Sequence, residues 1–508
     1  MALISIIRDF APKNDERLLA RAAELAPTLH HGKRVPLDGL PSSPLGRGGE
    51  LVLDFGVHLV GRLTLDLSYE GSHPDAPAHL RVFFAETADE LREDPSAYDG
   101  WLAHGWIQEE TLHIDELPCR VTLPRRYAFR FVRVTVLDTS PKYRLLVQDA
   151  ACVSETSADV SAAAPLHSGD ELLDRLHAVS LRTLADCMQD VFEDGPKRDQ
   201  RLWMGDLRLE ALANSVSFRH FDLVKRCLYL FAGTRFPDGR VSACLFTKPA
   251  PAADDTYLFD YALMFPVALE EYLCQTNDAE ALADLYPAAM EQVDLALARC
   301  GADGLPDAQA AKDCFIDWSD DLDRNGCAAA VLICALHSAE GLARRAGDTA
   351  RESFCAEKQL ALRRAAMARF WDEEAGGFVS GGQLAAATQV WMVLADVPDP
   401  ARARRAMEKT GPDAPGPRMT TPYMHHYCVM ALLRAGMKEE AERHLRSYWG
   451  GMLDAGADTF WECFDPDDPH SSPYGGVIVN SRCHAWSCTP AYIIERFLRP
   501  DAADRRDI

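Results

Sequence analysis

The spacing of apolar residues changes once along this chain, and this change constrains the fold more than any other feature. Between residues 48 and 155, apolar residues alternate with polar ones or form short β-branched runs, which is typical of antiparallel strands. From residue 168 onwards they recur every three or four positions, which is typical of amphipathic helices. The sequence therefore predicts an α+β multidomain protein, in which an N-terminal antiparallel β-sandwich precedes a helical domain. The predicted strands cover residues 51–55, 59–67, 80–85, 120–123, 129–136 and 143–147.

A segment rich in Ser and Ala separates the two parts. We predict a β-sandwich domain with an N-terminal extension over residues 1–155, a linker over residues 156–167 and a helical domain over residues 168–508. Ser168 and Glu171 have the spacing of a capping box at the start of the first helix. Helices are predicted over residues 170–193, 206–220, 222–232, 256–276, 279–299, 326–346, 350–371, 384–396, 400–410, 421–435, 438–450 and 485–498.

These helices make six hairpins, which could stack as an open solenoid or close into a ring. Carboxylates and aromatic residues are concentrated in the loops between the predicted helices. A closed ring brings such loops together at one end. The distribution therefore favours an (α/α)6 toroid, a six-hairpin barrel, with a binding site at its loop-bearing end.

Charge and composition exclude several classes of function. The chain has 77 acidic and 53 basic side chains and a net charge of −24, so we expect no nucleic-acid partner. No stretch is judged to reach the roughly 20 apolar residues of a membrane helix, and we expect no membrane partner. The oligomeric state is left open, a homo-oligomer included.

Cysteine usage and the N-terminus bear on the compartment. Fifteen cysteines, an odd number without a Cys-x-x-Cys pair, indicate neither a disulfide framework nor a zinc cluster. Charge interrupts the apolar run at the N-terminus before a signal-peptide core could form. We therefore expect a cytoplasmic protein.

Residues 194–206 place charged and aromatic side chains on a loop that leads into an apolar helix. Asp194, Asp199 and Asp206 can accept hydrogen bonds from hydroxyls or transfer protons, and Arg198 adds a cation. Trp203 offers a flat apolar face. A sugar requires such groups, and cleavage of a glycosidic bond requires a carboxyl group that transfers a proton. The sequence thus predicts a carbohydrate site on this loop.

Four other loops carry the same types of residue. Each lies near the start of a predicted helix or between two helices. A closed ring would therefore bring these loops together at one end. The residues concerned are Asp260 in 254–261, Asp317 and Trp318 in 315–326, Trp461 and Glu462 in 456–465, and His484 and Trp486 in 480–490.

One of these loops contains the opening of a calcium-binding pattern. Asp321, Asp323, Asn325 and Gly326 have the required spacing, but the glutamate that closes such a loop is missing. An acidic start to the following helix is the preferred interpretation. No metal site is predicted.

The segments resemble those of glycoside hydrolase family 78, the inverting α-L-rhamnosidases. The first segment departs from the family pattern at several positions. Gly195 replaces a cysteine, and Asp199 stands where the general-acid glutamate is expected. The core of Gln200, Arg201 and Leu202 also differs. The resemblance extends over about residues 48–498, with the barrel segments in the family order. The positions that match without a gap are Asp194, Pro196, Arg198, Trp203, Gly205 and Asp206.

The resemblance implies an inverting exo-hydrolase that releases α-L-rhamnose or a related deoxy sugar from small glycosides and needs no cofactor. Asp199 would be the general acid and Glu462 the general base. Two alternatives remain: the sugar is a uronic acid or a glucoside, or the protein binds sugar without hydrolysing it. The implied substrate-binding residues are Asp194, Arg198, Trp203, Asp206, Asp260, Asp317, Trp318, Trp461, His484 and Trp486.

Overall fold

The computed structural model describes residues 13–36, 43–411, 414 and 416–499. The apolar run at the N-terminus, on which the signal-peptide prediction rests, lies outside these residues.

The N-terminal domain is built on an antiparallel sheet of seven strands, β2 to β8, in the order β2-β8-β3-β7-β4-β5 with β6 paired to β3. Strand β3 is 22 residues long. Its first part pairs with β7 and its second part with β6 and β8, so the sheet curls around one apolar core. The strands are β1 (Lys13–Asn14), β2 (His30–Pro36), β3 (Glu50–Gly71), β4 (Ala78–Ala85), β5 (Glu109–Ile114), β6 (Cys119–Thr122), β7 (Tyr127–Asp138) and β8 (Tyr143–Thr156).

Burial explains which strands the sequence predicted. In β3, Leu51, Leu53 and Phe55 are buried and the residues between them are exposed, as the two-residue period of a strand requires. Strands β2 and β5 were not predicted. They are the outermost strands of the main sheet order, where one side has no neighbouring strand and polar residues are favoured, so the apolar alternation is weak.

The helical domain is a closed ring of hairpins, as predicted. Helices α3, α5, α8, α10 and α12 pack one against the next, and the segment from residue 485 to residue 493 closes the ring against α12 and α3. The helices are α1 (Glu16–Glu24), α2 (Glu171–Cys187), α3 (Met204–Val216), α4 (Phe221–Gly233), α5 (Phe259–Thr276), α6 (Ala279–Leu297), α7 (Ala308–Lys312), α8 (Asn325–Ala346), α9 (Thr349–Phe370), α10 (Ala386–Leu394), α11 (Pro400–Met407), α12 (Pro422–Arg434), α13 (Lys438–Asp454) and α14 (Pro490–Ile493).

Short strands link the hairpins: β9 (Leu202–Trp203), β10 (Thr234–Arg235), β11 (Cys244–Phe246), β12 (Ala252–Ala253), β13 (Trp371–Asp372) and β14 (Gly377–Phe378). Helix α1 precedes the sheet in sequence but packs on α4, and its Leu18 and Ala22 belong to the core of the helical domain. The domain limits at residues 155 and 168 stay predictions.

Two details of the predicted helices are wrong. The capping box at Ser168 does not form: Asp170 caps α2 by accepting from the Leu173 N–H at 3.1 Å, while the Ser168 hydroxyl donates to Asp174 at 2.7 Å. The last predicted helix, 485–498, is three short pieces, namely a 3-10 turn, α14 and a π-helical turn over Ile494–Leu498.

The judgement that no segment could form a membrane helix also needs correction. Helix α8 has 22 residues and is apolar enough to cross a membrane by length and composition alone, and 72% of its most apolar window is buried inside the protein. Within the described residues, α8 packs against α5, α6, α9 and α10, so its apolar surface is used by the ring.

Candidate active site

The loop 194–206 closes on itself before α3 begins. The Asp194 N–H donates to the Arg201 carbonyl at 3.0 Å, and the Arg201 N–H donates to the Asp194 carboxylate at 3.1 Å. Between them, Asp199 and Gln200 have positive φ angles of 66° and 51°. Such angles are unfavourable for residues other than glycine and occur often at functional sites. The strained turn carries the predicted general acid.

Arg198 contacts both predicted catalytic carboxylates. Its Nη2 donates to Glu462, and its Nη1 lies 3.5 Å from the Asp199 carboxylate. Its Nε donates to the Val479 carbonyl at 3.1 Å, which fixes the guanidinium plane. The Tyr474 hydroxyl donates to the other oxygen of Glu462, and the Tyr474 ring lies 4.3 Å from the guanidinium carbon. The structure thus holds the two carboxyl groups at opposite nitrogens of one guanidinium.

These contacts determine the charge of Glu462. Burial alone would raise its pKa, but Arg198, His484 and Tyr474 together lower the pKa below its ordinary value. Glu462 is therefore ionised at neutral pH. Each of its oxygens accepts one hydrogen bond from these neighbours and keeps a second lone pair, which can accept from a water molecule.

The other two aspartates of the loop have the opposite tendency. Burial, together with the charges of Asp199 and Asp206, raises the pKa of Asp194 well above its ordinary value. Burial also raises the pKa of Asp206, although its hydrogen bond with His484 Nε2 at 3.1 Å opposes that rise. The site therefore combines an ionised glutamate with carboxyl groups that hold protons more tightly than usual. Carboxyl groups whose pKa values are shifted in opposite directions are expected where acid and base chemistry occur together.

The carboxylate of Asp260, which is predicted to bind substrate, accepts hydrogen bonds from the protein backbone. One of its carboxylate oxygens accepts from the Tyr261 and Phe315 N–H groups at 3.1 and 3.0 Å, and the other accepts from Ile316 at 2.9 Å. Ile316 has a φ of 57°, so this carboxylate stabilises an unfavourable turn. The observed role of Asp260 is to order the loop that precedes Asp317.

Asp317 is likewise used to join two loops. It accepts from the Thr421 hydroxyl at 2.6 Å and from the Thr420 backbone N–H and hydroxyl at 2.7 and 2.9 Å. This arrangement ties the 317–318 turn to the start of α12. Trp318, held in the same turn, is 41% exposed, which is unusual for so large an apolar side chain.

Four tryptophans predicted to contact the sugar are brought to this end of the ring but differ in environment. Trp461 and Trp486 are buried, with the Arg482 guanidinium 4.0 Å from the Trp461 ring and the Trp486 indole N–H donating to the Glu462 carbonyl at 3.0 Å. Trp203 is half-buried. Its indole Nε1, like His484 Nδ1, is buried without a hydrogen-bond partner among the described residues, so both can bond a hydroxyl of a ligand.

Sequence reasoning missed contributions from the β domain. Trp101 is 58% exposed, and its indole N–H donates to the Pro473 carbonyl at 3.1 Å. Its ring lies 5.5 Å from that of Tyr474, whose ring is in turn 6.1 Å from that of Trp318. Two exposed indoles thus flank the tyrosine that bonds Glu462. No local signal marks Trp101, because its partner lies more than 370 residues later.

A buried charged network also reaches the loop from the β domain. Lys197, next to Arg198, donates to Glu90 at 2.6 Å and to the Asn480 carbonyl at 3.0 Å, and its nitrogen lies 3.7 Å from Glu86. The side chains of Lys197, Glu86 and Glu90 are at most 1% exposed. The sequence alone assigns no role to Lys197, because its carboxylate partners lie in another domain.

Sequence models of two domain families match the chain. The glycosyl hydrolase family 78 alpha-rhamnosidase N-terminal domain matches residues 27–154, and the bacterial alpha-L-rhamnosidase 6 hairpin glycosidase domain matches residues 161–498. A search of curated protein sequences finds no match.

Solved structures include several similar proteins. A rhamnosidase from Klebsiella oxytoca with rhamnose bound is 41% identical, with a TM-score of 0.92 over 96% of this chain and 99% of that one. The family 78 rhamnosidase of Bacillus sp. GL1 is 23% identical, with a TM-score of 0.76 over 89% of this chain and 47% of that one. The Streptomyces avermitilis α-L-rhamnosidase complexed with L-rhamnose is 19% identical, with a TM-score of 0.67 over 93% and 44%. The last two share the fold.

Proposed function

Since this chain belongs to glycoside hydrolase family 78 and is an α-L-rhamnosidase-like glycoside hydrolase, we propose that it releases a terminal α-L-rhamnose or a related deoxy sugar from small glycosides, with inversion at the anomeric carbon. The observation that carries this proposal is the placement of Asp199 and Glu462 on two nitrogens of the Arg198 guanidinium. An inverting pair needs a separation of roughly 6.5–9.5 Å, which leaves room for a water molecule. An intervening guanidinium supports such a spacing.

The exposures of the two carboxyl groups support their roles. The Asp199 side chain is 19% exposed and that of Glu462 is 7% exposed. The aglycone must leave towards solvent, so the more exposed Asp199 is suited to protonate the glycosidic oxygen. Glu462, ionised and deeper, takes a proton from the water that attacks the opposite face of the sugar. Its negative charge also stabilises the oxocarbenium-like transition state.

Asp194 is the alternative acid. Burial and the neighbouring Asp199 and Asp206 charges raise the pKa of its carboxyl group well above the ordinary value, so it holds a proton more tightly than a free aspartate. Asp194 replaces Asp199 in the mechanism only if hydrolysis survives the loss of the Asp199 carboxylate.

The test is release of nitrophenol from 4-nitrophenyl α-L-rhamnoside by wild type, Asp199→Asn, Asp194→Asn and Glu462→Gln, with proton NMR of the first anomer formed. We expect Glu462→Gln to lower kcat by roughly 10²- to 10⁴-fold, as loss of a general base does. Asp199→Asn should lower kcat by such a factor on an alkyl rhamnoside, whose leaving group needs a proton, and much less on the nitrophenyl rhamnoside, because nitrophenolate leaves without one; the alkyl substrate therefore decides between Asp199 and Asp194. Glu439→Gln, an exposed change on α13, is the matched control. A product that retains its configuration, or full activity in Glu462→Gln, would contradict the mechanism.

The contacts of the two arginines argue against a uronic acid as substrate. Arg198 is already bonded to Glu462, and the Arg201 guanidinium lies 4.6 Å from the Phe246 ring. Arg198 is therefore not available to a sugar carboxylate, and Arg201 packs on an aromatic ring. The same assay with nitrophenyl glucuronide and glucoside tests this directly: turnover of either above the rhamnoside would overturn the choice of sugar.

We also propose that the enzyme works in the cytoplasm on imported small glycosides. All fifteen cysteines are unpaired, which suits a reducing compartment. Fractionation of the producing cells, with activity assayed in each fraction, tests this proposal; activity confined to the medium would refute it.

A further inference from the structure

A group of metal-ligating side chains lies between the two domains, apart from the catalytic carboxylates. His58 comes from β3, Asp186 and Cys187 from the last turn of α2, and Cys483 from the loop that carries His484. In the part of the chain that the structure describes, His58, Asp186 and Cys483 bring one ligand atom each within 4.8 Å of one another. Imidazole, carboxylate and thiolate are all zinc ligands.

Cys187 lies outside this mutual group but places a second thiol beside that of Cys483. Its sulfur lies 3.9 Å from the sulfur of Cys483. In a tetrahedral zinc site with zinc–sulfur bonds of about 2.3 Å, two thiolate sulfurs are roughly 3.7–3.8 Å apart. A disulfide would instead require about 2.05 Å. The sulfur spacing is that of two reduced thiols in contact, and it is close to the spacing of two thiolates on one metal ion.

The surroundings of His58 are those of a metal-bound histidine. Its Nδ1 lies 2.7 Å from the Asp186 carboxylate, and its Nε2 lies 3.1 Å from Glu86. Glu86 is itself fixed by the Arg482 backbone N–H at 2.6 Å. Ligating histidines usually donate their second ring nitrogen to such a carboxylate, which orients the ring and sets its tautomer. Glu86 would thus hold the proton on Nε2 and leave Nδ1 for the metal.

We propose that His58, Asp186 and Cys483 bind one Zn²⁺ in a structural site, and that the Cys187 thiolate moves in beside Cys483 as the fourth ligand. Four protein ligands leave no open position, as in other structural zinc sites. The mixed sulfur, nitrogen and oxygen donors favour zinc over calcium or magnesium. The ion would join β3, the end of α2 and the loop that places His484, and so link the two domains behind the sugar site.

Zinc binding would release protons from its ligands. Zinc binding converts both thiols to thiolates and takes the Nδ1 position that now bonds Asp186, so up to three protons pass to solvent. No oxidant or reductant is needed. The side chains of His58 and Glu86 are 0% exposed and that of Asp186 is 18% exposed, so the ion would enter on the side of Asp186.

The test measures metal content directly. The full chain, without an affinity tag, is purified from medium supplemented with ZnCl₂ and analysed by mass spectrometry of its metals. We expect about one Zn²⁺ per chain in wild type and at least a fivefold reduction in His58→Ala and Asp186→Asn. Cys428→Ser removes another buried cysteine outside the group and is the matched control; it should retain the metal.

Cobalt binding tests whether the thiolates are ligands. Circular dichroism first verifies that wild type and variants are folded. CoCl₂ added to metal-free wild type should give a thiolate-to-cobalt absorption band, reduced to about half in Cys187→Ser if both sulfurs bind. The proposal is overturned by folded wild type that holds less than about 0.1 equivalent of zinc and gives no band, or by a Cys187–Cys483 disulfide found on peptide mapping. Both readouts are independent of rhamnoside hydrolysis.

Discussion

Replacing Lys197 by Met removes the cation that two buried carboxylates share. Lys197 lies 2.6 Å from Glu90 and 3.7 Å from Glu86, and none of the three side chains is more than 1% exposed. Removal of one partner from a buried ion pair costs about 3–5 kcal/mol, because the other charge is left without compensation. We place Lys197→Met near the lower limit, about 3 kcal/mol, since Glu86 keeps its contact with His58.

This destabilisation should depend on pH. Burial raises the pKa of Glu90 to about 7, while Lys197 opposes the rise. A carboxyl group with a raised folded-state pKa loses stability as the pH rises from its unfolded pKa to its folded pKa. Without Lys197 the pKa of Glu90 rises further, so the loss continues above neutral pH. The cost of Lys197→Met should therefore increase by about 1.4 kcal/mol for each pH unit above the wild-type pKa of Glu90.

The assay is thermal unfolding of wild type and variants at about pH 6.5 and about pH 8.5, with kcat/KM on the nitrophenyl rhamnoside. Adding Glu90→Gln to Lys197→Met should recover part of the loss, because the buried charge is then removed as well. Lys142→Met breaks an exposed ion pair with Asp75 and should leave Tm unchanged. If Lys197→Met lowered Tm no more than Lys142→Met, or equally at both pH values, the buried network would not hold the loop.

Three further changes test separate contacts. Arg198→Met should raise the pKa of Glu462 and so move the acid limb of the kcat/KM–pH profile to higher pH; an unmoved limb would refute the pairing. Trp101→Ala should raise KM for the nitrophenyl rhamnoside about three- to tenfold, partly restored in Trp101→Phe, because its ring covers Tyr474; an unchanged KM would mean that the aglycone does not reach it. Asp260→Asn should cost about 1–3 kcal/mol of unfolding free energy in thermal or denaturant unfolding, because three backbone N–H groups lose a charged acceptor; an unchanged midpoint would contradict that role.

The architecture was predictable because it depends on local periodicity. Alternation identified the central strands, and the three-to-four spacing identified the helices of the ring. The errors lie where local signals compete or are weak. Asp170, not Ser168, caps α2, because aspartate is an equally good capping residue and lies two positions later, directly before the first helical residue. Helix α8 is apolar enough to resemble a membrane segment because the ring surrounds it.

The candidate site was predictable only in part. Loop motifs identified Asp199, Glu462 and Arg198, but not the contacts among them. Tyr474 could not be assigned, since a tyrosine twelve residues after Glu462 has no characteristic spacing that predicts a hydrogen bond to it. Asp260 and Asp317 were predicted to bind substrate because carboxylates near helix starts suggest both binding and structural roles. Only the coordinates reveal that backbone N–H groups occupy them.

The contacts of the loop that carries Asp199 make the β domain part of the proposed catalytic site. Asp199 and Gln200 occupy backbone conformations that cost free energy, so the turn persists only if surrounding contacts over-determine it. Some of those contacts come from the helical domain, through Val479 and Glu462 on Arg198. The adjacent Lys197 is held by Glu90 of the β domain. A helical ring without the sheet would keep the carboxylates but lose one of the two anchors of the loop, and with it the distance between Asp199 and Glu462 that the proposed inverting mechanism requires.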